Sequence, residues 1–242
     1  MMLRLVGLLL LATVTLGEDP ECPRCGPCVP RRWAAKEGIL GGYNAKSGPG
    51  SFAGVIKFAY DEYVQKIVAF SEMYVGGKKY DAYTLFDYKR GLRYLITLHG
   101  GEKVCNVTRI PDKFPPRCLP GAKFLGHSYL GEKPMNDLET SAYQMFIKAP
   151  NAKGVATITY TKEGSIPIGE IIQGDFNGVG VMEVVGFSEV TREVNKKDFI
   201  VPKICRRQED KAREEADPIK ENPTLWDIME MRVKKRFSNV GF

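Results

Sequence analysis

The chain has 242 residues, 43% of them hydrophobic and 26% charged, with a formal net charge of +6. That apolar content is ample for a buried core. Its 35 Lys and Arg are scattered among 29 Asp and Glu, which disfavours the clustered basic stripe of a nucleic-acid binder.

Residues 1–17, MMLRLVGLLLLATVTLG, carry one cation at Arg4, an apolar run over 5–14, and small residues Thr15 and Gly17 spaced for signal-peptidase cleavage. A membrane span needs about twenty apolar residues, and this run stops before Glu18-Asp19. The reading is a secretory signal cut after Gly17, followed by a secreted, extracellular chain without a transmembrane segment. Residues 18–42 form a Cys-rich segment containing Cys22, Cys25 and Cys28. With Cys105, Cys118 and Cys205 the mature chain holds six cysteines, an even count that implies disulfides in an oxidising compartment. Zinc is disfavoured because no second cysteine pair or nearby histidine completes a tetrahedral set.

Residues 43–205 are expected to be a β domain. Within 92–99, Leu92, Tyr94, Ile96 and Leu98 face one way while Arg93, Thr97 and His99 face the other, as in a half-buried strand. Similar runs cover 55–60, 64–74, 80–88, 123–130, 142–148, 155–161, 166–173 and 178–190. Short polar breaks such as Asp61-Glu62, Lys89-Arg90-Gly91 and Lys162-Glu163-Gly164 separate them, which predicts consecutive antiparallel hairpins. Gly169, Gly180 and Gly186 permit bulges and curvature, and a curved sheet can wrap a cavity. Side chains on its concave face would not all meet across the gap, so a ligand is expected to cover part of it. An ordinary filled sandwich is the alternative that periodicity leaves open.

Asn106-Val107-Thr108 is the one N-glycosylation sequon, since proline disqualifies Asn222-Pro223-Thr224. Gly126-His127-Ser128-Tyr129-Leu130-Gly131 is one residue longer than the G-x-S-x-G nucleophile elbow, and His99-Gly100-Gly101 lies upstream where an oxyanion turn would sit. A serine nucleophile needs an imidazole base. No histidine follows Ser128, and His127, its neighbour on a strand, points to the opposite face. The chain is therefore read as having no catalytic residues and not being an enzyme. Asp175-Phe176-Asn177-Gly178 starts like a calcium loop but lacks the later ligands, and is read as a hairpin turn. Residues 206–242 are a charged tail: eleven of the sixteen residues over 206–221 are charged, and Asn222-Pro223 opens a short helix that ends in Lys234-Lys235-Arg236.

Three passages, CVPRRWAAKEG, KFAYDEYVQKIVAFSE and VCNVTRIPDKFPPRCLPGAKFLGHSYLG, occur in that order. Together they resemble the ependymin-related family over roughly 28–205, the third being the most specific. The resemblance implies an all-β fold of two curved antiparallel sheets, a half-open barrel or sandwich with a central apolar pocket like that of bacterial lipoprotein carriers, plus the short C-terminal helix. It also implies a glycoprotein bearing sugar at Asn106, homodimer formation, an association with calcium but no other cofactor, and extracellular-matrix partners. It pairs Cys105 with Cys205. Cys28 matches the family's N-terminal cysteine, whose usual partner position near Ala149-Pro150 is empty of cysteine here, with Cys118 as the replacement; Cys22 and Cys25 are left to pair locally or between chains. The expected function is binding of an apolar or amphipathic ligand such as a lipid or fatty acid. The alternative is a matrix or adhesion component without a small ligand. Neither the ligand-binding residues nor calcium ligands are named by the sequence.

Overall fold

The computed structural model describes residues 25–208, with the exception of 47, 100, 111–112, 116, 132–137, 150–151 and 164. The signal sequence, Cys22, and the charged tail with its short helix lie outside the described residues. Thirteen strands follow one another: β1 (Cys25–Cys28), β2 (Arg32–Ala45), β3 (Gly48–Asp61), β4 (Lys66–Val75), β5 (Lys78–Asp87), β6 (Leu92–His99), β7 (Glu102–Arg109), β8 (Cys118–Pro120), β9 (Lys123–Leu130), β10 (Leu138–Ala149), β11 (Ala152–Thr161), β12 (Pro167–Phe176) and β13 (Val179–Thr191). Two 3-10 turns, Lys196–Phe199 and Lys203–Cys205, come next.

Eleven strands make one antiparallel sheet in the order β7-β6-β5-β4-β3-β2-β13-β12-β11-β10-β9, and β1 pairs with β8 as a separate ribbon. The expected all-β, two-sheet, half-open architecture is therefore present, with nearly all of the strands in one of the two sheets. The sheet does not close into a barrel, and β7 and β9 are its free edges. The tight hairpins follow from local chemistry. Asn177 and Gly178 take φ values of 57° and 76°, and the Gly178 N–H donates to Asp175 Oδ1 at 2.9 Å, so the Asp175–Gly178 stretch is a two-residue hairpin turn. Gly76-Gly77 makes the same kind of turn between β4 and β5, with φ of 55° and 75°.

One face of the large sheet carries the main core. Trp33, Phe58, Tyr60 and Ile67 from one arm and Ile158, Tyr160, Ile172 and Phe176 from the other belong to a single buried cluster, which requires the sheet to curl so that its arms approach. The Trp33 and Phe58 rings meet edge to face at 4.5 Å. The ribbon helps to cover this inner face: Val29 and Leu119 join the core, and Phe114 packs on Tyr60 at 5.1 Å and Tyr88 at 5.2 Å. Part of the concave surface that the sequence reading left to a ligand is thus covered by the chain itself. A disulfide between Cys28 and Cys118 holds the ribbon together.

The outer face carries a smaller core in which Val68, Leu85, Leu92 and Tyr94 lie under Phe199 and Cys205, the latter bonded to Cys105 of β7. Two disulfides of this kind fit an oxidising, extracellular-like environment. No helix among the described residues is long and apolar enough to cross a membrane.

One expectation is corrected by these contacts. Residues 32–42, assigned to the Cys-rich segment before the β domain, form most of β2, a central strand hydrogen-bonded to β3 and β13. Close strand approach is permitted by Gly54, Gly154 and Gly174, whereas a side chain at Gly180 or Gly186 would meet little or nothing. A Cβ at 174 would sit 2.3 Å from the Lys153 carbonyl oxygen and 2.6 Å from the Gly154 Cα.

Candidate functional site

The centre of the sheet, β2, β13 and β12, buries alternate residues as a one-sided strand must. Along β2 the inward row is Trp33, Ala35, Glu37 and Ile39; along β13 it is Val179, Val181, Glu183 and Val185; on β12 it includes Glu170, Ile172 and Phe176. A glutamate therefore stands in the apolar row of each of three adjacent strands. Glu37, Glu170 and Glu183 are only 3%, 4% and 3% exposed. In the register, Glu170 is opposite Val185 and Glu183 opposite Ile172, which makes the two glutamates diagonal neighbours. Glu37 lies on the other side of β13, opposite Phe187.

Burial holds all three carboxyls in the protonated form above the usual range. Glu183 is pushed up to about 7 by burial. Glu37 is raised by burial and then by Glu183, and Glu170 by burial and then by Glu183 and Glu37. No cation is among the groups acting on any of them. On this face, buried polar atoms lack partners among the described residues: Glu170 Oε1 and Tyr160 Oη at the cluster, and Tyr60 Oη and Trp33 Nε1 elsewhere on it. Tyr160 sits on β11 opposite Pro167 of β12, and its phenol is raised by burial first and by Glu170 next. Each unsatisfied buried polar atom costs about 1–3 kcal/mol, and such groups in a native protein need an explanation. The arrangement offers carboxyl and hydroxyl groups in an aromatic, apolar surround, the chemistry of a site that takes the polar end of an otherwise apolar molecule. Among the described residues no group of three or more His, Cys, Asp or Glu is placed to hold a metal ion.

The raised carboxyls make stability depend on pH with a definite sign. In the unfolded chain Glu183 loses its proton near 4.5, in the folded chain near 7. Between those values the unfolded state binds fewer protons, so stability falls as pH rises. Glu183→Gln is expected to have little effect near the lower value and to raise stability, relative to the parent, by up to about 3 kcal/mol once pH passes the upper one. Urea midpoints measured across that window would contradict this if the two proteins stayed parallel.

A concavity of about 740 Å³ lies on the opposite face of the sheet and is lined by residues that include Val55, Lys57, Phe70, Glu72, Tyr83 and Pro202. There the carboxylate of Glu72 is already paired with Lys79 at 2.7 Å. The inner cluster, whose groups are not so paired, is the stronger candidate.

The residues singled out in the sequence fall elsewhere. Asn106 is exposed on edge strand β7. His127 Nδ1 is 2.9 Å from Ser141 Oγ, while Ser128 Oγ is 2.7 Å from Thr140 Oγ1, so the neighbouring side chains of "GHSYLG" engage successive residues of β10. Cys105, Cys205, Cys28 and Cys118 form the two disulfides already described. Strand pairing brings none of these to the glutamate cluster, which sequence reasoning missed. The available signal was a glutamate flanked at two-residue spacing by apolar residues, Ala35-x-Glu37-x-Ile39 and Val181-x-Glu183-x-Val185.

No family model and no curated protein matches the chain. Among solved structures it is similar to the crystal structure of a beta-barrel-like protein of the domain of unknown function DUF1849 from Brucella abortus, with 8% identity over 67% of this chain and 99% of that one. The TM-score is 0.22.

Proposed function

We propose that the protein is a secreted, ependymin-related glycoprotein that carries an apolar or amphipathic ligand against the inner face of its curled sheet. The observation that carries this reading is the set of unpartnered buried polar atoms, Glu170 Oε1, Tyr160 Oη, Tyr60 Oη and Trp33 Nε1, set in an apolar aromatic face. The exposure of Asn106 on an open sheet edge supports its glycosylation, because a sugar there would also block edge-to-edge pairing. Ser128 has no catalytic duty in this reading.

Binding of this kind has a measurable signature. Each added methylene of an alkyl ligand contributes about 0.8 kcal/mol, roughly fourfold in affinity, until the site is filled. Calorimetric titration of the delipidated, disulfide-intact secreted protein with single-chain amphiphiles of rising length is expected to show that progression followed by a plateau. Absence of binding at every length would overturn the carrier reading. It would leave the matrix or adhesion reading, which one observation favours: Leu40, Val184 and Ile171 lie side by side on the outer face of three adjacent strands and are 64%, 42% and 44% exposed.

A further inference from the structure

We propose that the inner face selects amphiphiles with a cationic amine head, the head seated among Glu37, Glu170 and Glu183 beside the Tyr160 hydroxyl; this rests on the carrier reading above. The glutamates come from three adjacent strands and are buried on one face, Glu170 and Glu183 as diagonal neighbours, and no cation among the described residues acts on them. Two neighbouring oxygens, Glu170 Oε1 and Tyr160 Oη, lack hydrogen-bond partners. An alkylammonium supplies what is missing, a positive charge and three N–H donors on a narrow head. A carboxylate or phosphate head would be a buried anion in a site that already disfavours negative charge. A hydroxyl head would satisfy one or two of the oxygens and leave the charge problem unchanged. A divalent ion is disfavoured by the geometry, since the acids are not grouped as ligands.

The pH behaviour follows from the groups that face the cluster. Besides the glutamates, the titratable groups on this face are Tyr160 on β11, Tyr143 on β10 and Tyr60 on β3, the last acted on by Arg117 before β8; His127, exposed on edge strand β9 against Ser141, lies beyond them. Arg93, on the same face of β6, acts on none of the three glutamates. Seating a cation draws the carboxyls into their ionised form, so binding releases protons and strengthens as pH rises through the raised carboxyl range.

The test compares dodecylammonium, dodecanol and dodecanoate on the delipidated full secreted chain by calorimetry, at about pH 5 and about pH 8, on either side of the Glu183 value of about 7. Dodecylammonium keeps its charge at both, so its pH dependence belongs to the protein. Its affinity is expected to rise by at least about tenfold between the two, equivalent to one pKa unit of coupling, with a heat that varies with the buffer's ionisation enthalpy. At the higher pH it should outcompete both other heads. Glu170→Gln and Glu183→Gln should reduce dodecylammonium affinity more than dodecanol affinity. If dodecanol or dodecanoate binds as tightly as dodecylammonium at the higher pH, the head-group inference falls and the carrier reading stands. If no dodecyl compound binds, both fall. Should a variant fail to fold, the head-group and pH comparison on the unmodified chain decides alone.

Discussion

Replacing both Cys105 and Cys205 by serine is expected to destabilise the protein by about 4 to 5 kcal/mol and to cut its secreted yield severely. The bond joins residues 100 apart in sequence, and in the chain-entropy model a loop of about that length gives the upper part of the disulfide range. Such a loss rivals the whole net stability of many domains, about 5–15 kcal/mol. The structure adds a local reason. Cys205 is fully buried and Cys105 3% exposed, in the outer core with Phe199, Tyr94 and Val107. Breaking the bond therefore frees the segment that covers this core as well as enlarging the unfolded ensemble. Guanidinium unfolding of the purified double variant beside the parent measures the effect; equal midpoints would show that the outer core holds the segment unaided.

Lys66→Met is expected to cost about 3 kcal/mol. Lys66 Nζ lies 2.9 Å from Asp87 Oδ2, and the Asp87 side chain is 1% exposed. The same ammonium donates to the Phe199 carbonyl at 3.1 Å, pinning the first 3-10 turn to β4. Removing one member of a buried pair leaves the other charge uncompensated, which costs about 3–5 kcal/mol. The lower end applies because the Arg90 backbone N–H still donates to Asp87 Oδ1 at 3.1 Å, with Arg90 Nε 3.7 Å from the other oxygen. Adding Asp87→Leu to Lys66→Met should recover most of the loss, since a buried pair exchanged for apolar groups is often near neutral. A double variant no more stable than the single one in urea would show that Lys66 acts through the Phe199 carbonyl instead.

The hairpins were legible because their signals are local. Strand β9 matches its expected span of 123–130 residue for residue, and Asn177-Gly178 adopts the positive φ values that its composition invites. Other strands were found with ends shifted by a few residues, as when β10 begins at Leu138 in place of 142. Strand β2 was lost for a reason tied to the site itself. Its inward row, Trp33, Ala35, Glu37 and Ile39, carries a glutamate where an apolar residue would be expected, which interrupts the alternation, and the stretch was assigned to the Cys-rich segment.

By itself, then, the sequence determined what depends on neighbours along the chain: an all-β chain of antiparallel hairpins, turn chemistry, a sequon, and a histidine count too low for the esterase order. Tertiary structure decided what depends on strands distant in sequence. Strand β2 pairs with β13, and that pairing, closing between residues roughly 140 apart, puts Glu37 on the same face as Glu183 and Glu170. Glutamate on a strand reads as a solvent-facing residue because water is its usual partner; only the curl of the sheet, which carries the opposite arm and the β1–β8 ribbon over the inner face, takes that water away and turns three ordinary carboxylates into buried, uncompensated acids.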